Sequence, residues 1–140
     1  MTKNTVTTAS RMPGILLAVV TVFFVMLYLR VPLKVDVIRD RTTLVRETSD
    51  GKLENVYRLQ IMNTTERAHE FVITASGIEG MEVIAVQPAV IMAAGAITLP
   101  VALRIDPAKA RAGSHPVRFH IEDRADPRVS ADEKSVFYVR

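Results

Sequence analysis

The side chains best suited to chemistry in this chain are three histidines, six methionines and one short run of alternating charge. His115 and His120 stand five apart in a stretch of alternating apolarity. On a strand they point to opposite faces, so they cannot chelate one ion together. His120 lies between Arg118 and Glu122, the setting of a solvated residue on a polar face, and His69 stands apart from both. Met62, Met81 and Met92 offer thioethers, which suit copper(I). They lack Met-x-x-Met clustering, and packing explains them better. There is no cysteine, which excludes disulfides, thiolate metal sites, iron–sulfur ligation and cysteine nucleophiles together. No serine occupies a nucleophile elbow, and the acids form no EF-hand calcium loop. The six glycines make neither a phosphate loop nor a dinucleotide fingerprint. No catalytic constellation is present, so the expectation is a non-enzymatic protein without cofactor or metal of its own.

The charged run is Arg39-Asp40-Arg41, followed by Arg46-Glu47 and then Asp50. One reading is a solvated surface of mutually paired charges. The other is a docking surface for a neighbouring membrane protein, in which Arg39, Asp40, Arg41, Arg46 and Glu47 impose register by alternating sign.

The elements that must carry these residues fall into three parts. Residues 1–11 are rich in Thr, Ser and Asn and read as a disordered tail. Residues 12–31 read as a transmembrane helix, because no residue from Met12 to Leu29 is charged and the run is long enough to span most of the hydrocarbon core. Pro13 suits the first helical turn, Tyr28 an interfacial belt, and Arg30 can snorkel. The run ends in Leu27-Tyr28-Leu29-Arg30-Val31-Pro32, without the small residues of a signal-peptide cleavage site. Counting basic residues near the helix ends slightly favours a C-terminal domain inside the cell. Of the 18 Lys and Arg, Lys3, Arg11 and Arg30 flank the run. The 15 that remain balance 15 Asp and Glu, so the domain is formally neutral and nucleic acid is not an expected partner.

Residues 32–140 read as an all-β domain. Ile97, Leu99, Val101, Leu103 and Ile105 alternate with polar or small residues, the pattern of a half-buried strand. Pro100 within it predicts a sheet edge or a bulge. Alternation recurs over Tyr57–Met62, Phe71–Ser76 and Val117–Glu122. It is weaker over Leu33–Ile38, Thr43–Glu47, Glu82–Val86, Ala89–Met92 and Lys134–Val139. Turn signals separate these stretches, as at Ser49-Asp50-Gly51 and Ala112-Gly113-Ser114. Seven to nine short strands predict an immunoglobulin-like β-sandwich, without the Cys and Trp pin of antibody domains.

One string carries more. Val35-Asp36-Val37-Ile38-Arg39-Asp40-Arg41 is followed by Leu44-Val45-Arg46-Glu47, Gly51, and Glu54-Asn55-Val56-Tyr57-Arg58-Leu59-Gln60-Ile61-Met62-Asn63. Gly77-Ile78-Glu79-Gly80 and Ser135-Val136-Phe137 come later. From the hydrophobic helix onward, the chain resembles the C-terminal portion of the CcoG/FixG/RdxA family, accessory proteins of cbb(3)-type cytochrome c oxidase. Members of that family carry two [4Fe–4S] clusters in a cytoplasmic ferredoxin-like domain linked to copper reduction. A last transmembrane helix then leads to a periplasmic immunoglobulin-like domain. The resemblance implies a single-pass protein of the bacterial inner membrane with a periplasmic domain, against the slight basic count. It implies partners in the bilayer, in other membrane proteins of oxidase assembly, or in a separate ferredoxin-like part. The cluster-binding cysteines have no counterpart here. The competing expectation is a free-standing periplasmic protein for copper delivery or a chaperone-like role.

Overall fold

The computed structural model describes residues 6–39 and 45–140, with side chains from residue 12 onward. The chain divides into two units, Met1–Val31 and Pro32–Arg140.

The first unit holds helix α1, Val6–Tyr28. It starts ahead of the uncharged run, so part of the expected tail is helical. Pro13 consequently lies inside the helix rather than in its first turn, where its missing N–H removes one intrahelical bond. Thr21 Oγ1 donates to the Leu17 carbonyl at 2.8 Å, which satisfies the hydroxyl within the helix. Counted over the residues whose side chains are described, no helix is long and apolar enough to cross a membrane.

The second unit is two antiparallel sheets. Its strands among the described residues are β1 Leu33–Arg39, β2 Arg46–Glu47, β3 Leu53–Asn63, β4 His69–Ser76, β5 Glu82–Ile84, β6 Ala89–Ile91, β7 Ala96–Ile105, β8 Gly113–Asp123 and β9 Ser130–Val139. The first sheet runs β1-β3-β7-β5, with β2 also paired to β3. The second runs β6-β4-β8-β9. Thr43 and Leu44 of one expected strand lie outside the described residues, and β2 is confined to Arg46–Glu47.

Period-two alternation builds the core directly. Tyr57, Leu59, Ile61, Val101, Leu103 and Ile105 face inward from the first sheet. Phe71, Ile73, Val117, Phe119, Ile121 and Phe137 meet them from the second. The rings of Tyr57 and Phe119 touch edge to face, with centroids 5.1 Å apart and an interplanar angle of 70°. Pro100 keeps its register with Arg58 of β3, while β5 reaches along β7 only as far as Ala102. The side of β7 away from β3 is thus unpaired at Pro100, a setting that tolerates a residue without an N–H.

Three polar side chains finish what the strands leave open. Ile73 of β4 lies past the end of β6, and the Gln87 amide takes the place of a neighbouring strand. Gln87 Nε2 donates to the Ile73 carbonyl at 3.0 Å, and the Ile73 N–H donates to Gln87 Oε1 at 3.2 Å. Along β9, the Val136 carbonyl accepts from the Tyr57 hydroxyl at 2.9 Å and the Tyr138 carbonyl accepts from Asn55 Nδ2 at 3.3 Å. Side chains of the first sheet thereby cap an edge of the second, one of the ways an exposed strand edge is blunted.

Candidate functional site

Position 63 ties two connections together. Asn63 Nδ2 donates to the carbonyls of Arg67 at 2.6 Å, Met92 at 3.1 Å and Ile91 at 3.3 Å. Its Oδ1 accepts from the Thr65 N–H at 3.0 Å and the Thr65 hydroxyl at 2.7 Å. The sequence marks this residue as the end of a strand and the start of a turn; in the fold it is buried and organises the β3–β4 and β6–β7 connections.

The expected docking residues lie along one edge of β3. Arg39 closes β1 opposite Tyr57, and Arg46 and Glu47 stand opposite Glu54 and Leu53. Asp40 and Arg41 lie outside the described residues. Register continues the charges across the sheet: Arg46 faces Glu54, Glu54 faces Arg104, and Arg104 faces Glu82. Arg104 Nε donates to Glu54 Oε2 at 2.6 Å, and Lys52 Nζ reaches Glu82 Oε1 at 2.6 Å. The Glu54 carboxylate holds the Arg104 guanidinium above its ordinary pKa. Glu54 is thus committed to the sheet face. Arg46 and Glu47 remain exposed.

Below this row, Tyr57 is fully buried, and burial pushes its phenol up to about 12, with the Asn55 amide and the Arg39 charge pulling the other way. Asn55 Oδ1 is buried and finds no hydrogen-bond partner.

The histidines separate as strand geometry requires. On β8, His115 lies on the inward side and its Nε2 is 2.7 Å from the Arg111 carbonyl. His120 lies on the outer face, with Nδ1 2.9 Å from Asp132 and Nε2 3.3 Å from Glu122. These two carboxylates raise the His120 pKa, Asp132 most strongly. Glu122 is two residues along the strand, a spacing legible in the sequence. Asp132 comes from β9 and requires the hairpin register. His69 Nδ1 sits 3.1 Å from the buried carboxylate of Asp123, which also accepts from the Asp126 N–H at 3.0 Å. An open cavity of about 610 Å³ lies beside them, lined by Arg67, His69, Glu70, Asp123, Arg124 and Asp126. Among the described residues, no three histidine or acidic side chains converge as a metal site.

The geometry therefore offers charged surfaces and strand edges capped by side chains. The family model described as "IG-like fold at C-terminal of FixG, putative oxidoreductase" matches residues 23–140. A FixG-related protein from Vibrio parahaemolyticus, solved by crystallography, is 25% identical, with 78% of this chain and 97% of that one covered, at a TM-score of 0.69. The GAE domain of GGA2p from Saccharomyces cerevisiae is 12% identical, with 79% of this chain and 92% of that one covered, at a TM-score of 0.44. A likeness of that size supports no inference. Among curated proteins none matches.

Proposed function

Because the chain belongs to the family of immunoglobulin-like domains found at the C-terminus of FixG, we propose that it is a non-catalytic interaction module, held at the bacterial inner membrane with its β domain in the periplasm. The family match over residues 23–140 carries this reading, since it takes in the end of α1 and the whole sandwich. The family's association with cbb(3)-type oxidase suggests that the module serves assembly or copper maturation of that enzyme. The residues present do not fit the clusters of full-length relatives, because the chain has no cysteine to ligate iron. No electron-transfer step is assigned to them. What the domain offers a partner is surface: alternating charges on one sheet and a mixed polar and apolar face on the other.

Anchoring would fall to α1. Over the described side chains no helix reaches the length and apolarity of a crossing, so the anchoring reading rests on the family match together with the apolar character of this stretch. The side chains of α1 are apolar on every face from Ile15 to Tyr28 apart from Thr21 and the Tyr28 hydroxyl.

Deletion of the coding sequence tests the role. Assembled cbb(3) oxidase, read by membrane haem spectra and oxygen uptake, is expected to fall. An unchanged oxidase level would refute the assembly reading. Alkaline phosphatase fused after Arg140 is expected to be active in the periplasm, and an inactive fusion would overturn the topology. Tight stoichiometric copper binding by the full chain would move it to the metal-delivery class.

A further inference from the structure

On the outer face of the second sheet, β8 and β9 set two cations directly opposite each other. Arg118 of β8 faces Lys134 of β9, and Ser76 at the end of β4 completes the row. Like charges placed across a strand pair destabilise it, so such a pair stands out unless an anion joins it. No carboxylate of the described residues does. The nearest acids on the same face, Asp132 and Glu122, are both turned to His120 in the adjoining row. Glu133 alternates to the other face, opposite Phe119.

A groove lies beside the two cations. Its cavity of about 380 Å³ is lined by Ser76, Gly77, Pro116, Val117 and Ser135 along with Arg118 and Lys134. Gly77 shapes its floor. Its φ is +132°, and a Cβ there would stand 2.5 Å from the Pro116 carbonyl oxygen, so a side chain is excluded from the point where β4 leaves the sheet. The next two rows along the hairpin are Pro116 with Val136 and Ser114 with Tyr138. Val136 and Tyr138 are 36% and 39% exposed. The face thus reads, in order, as two uncompensated cations and then an apolar and aromatic shelf.

We propose that this face docks an acidic peptide segment of a partner protein, with its carboxylates on Arg118 and Lys134 and its apolar side chains on Pro116, Val136 and Tyr138. Charge complementarity selects the occupant: the site has two cations in register, hydroxyls beside them and no acid of its own to spare. The inference rests on the interaction-module reading and gives that module's partner a chemistry.

The test uses the full chain in uncharged detergent micelles. A fluorescent peptide of alternating glutamate and leucine is titrated by anisotropy, alongside inorganic phosphate and phosphatidylglycerol vesicles. The peptide is expected to bind, with affinity that falls as salt rises. Arg118→Glu/Lys134→Glu is expected to weaken it about tenfold or more, since two attractions become repulsions. Lys34→Glu/Arg111→Glu makes the same change in net charge elsewhere and is expected to leave binding unaltered. Arg118→Gln/Lys134→Gln is expected to hold or raise Tm while losing the peptide, which separates recognition from folding. Equal binding by both glutamate variants would overturn the proposal, as would binding of phosphate or vesicles without the peptide. The module reading fails separately, if deletion of the gene leaves oxidase assembly unchanged.

Discussion

Replacing Asn63 gives the sharpest test of how this domain is held together. Its amide makes three donations to backbone carbonyls and two acceptances from Thr65. The Met92 carbonyl keeps the Gly95 N–H when the amide is removed, and the Arg67 carbonyl keeps the Thr65 hydroxyl. Each lost bond is worth about 1 kcal/mol net, and partial compensation brings Asn63→Ala to roughly 2–4 kcal/mol. That is a large share of the 5–15 kcal/mol typical of a domain, and corresponds to about 10–15 °C in Tm. Asn63→Asp has the same shape but sets a carboxylate against carbonyl oxygens, so it should cost more than alanine at neutral pH. The sign of its pH dependence follows. Facing carbonyls in a buried site, the new carboxyl is raised in the folded state, so the folded form binds more protons than the unfolded one above about pH 4. Its stability therefore falls as pH rises. Urea unfolding of the full chain in micelles, followed by tyrosine near-UV circular dichroism at pH 4 to 8, reads both variants. If Asn63→Asp matched the wild type, or exceeded Asn63→Ala across that range, the hydrogen-bond reasoning would be refuted.

Four further outcomes are expected. Gly77→Ala should destabilise by about 2–4 kcal/mol in the same assay, because its Cβ meets backbone rather than a yielding side chain. Gln87→Ala removes both bonds at Ile73 and should cost about 1–2 kcal/mol, with faster aggregation on light scattering as the β4 edge opens. Tyr57, with its phenol at about 12, should make the fold alkali-sensitive. The raised folded-state value means stability is complete below about pH 10 and declines by about 2–3 kcal/mol toward pH 12, while Tyr57→Phe loses that slope. His120 is raised, so the stability it contributes is present below about pH 6.5 and fades as pH climbs through its folded value. Asp132→Asn should lower that value on NMR titration, and an unchanged titration would refute the pairing.

The strands were legible wherever alternation was clean. β7 reads straight from Ile97 to Ile105, and observed β4 differs from its expected span by two residues at its start. β3 begins earlier than expected because Glu54 and Asn55 interrupt the apolar pattern, although both are buried and held by partners far along the chain. β9 opens on Ala131, Glu133 and Ser135, inward positions too small or too polar to announce a strand. The candidate site was less legible for the same reason. The row from Arg46 to Glu82 joins four strands, and the Arg118–Lys134 pair needs hairpin register. Neither exists until the chain has folded. Gln87 substituting for a strand, and Asp123 beneath His69, leave no local pattern at all.

The surroundings of Asn63 carry one more consequence. Asn63-Thr64-Thr65 has the form of an N-glycosylation acceptor. In the folded protein the amide is buried against three carbonyls and out of reach. A eukaryotic secretory pathway would meet the triplet while the chain was still unfolded. A sugar attached there would take up the nitrogen that fastens the loops, so production by secretion from such a host would yield misfolded glycoprotein.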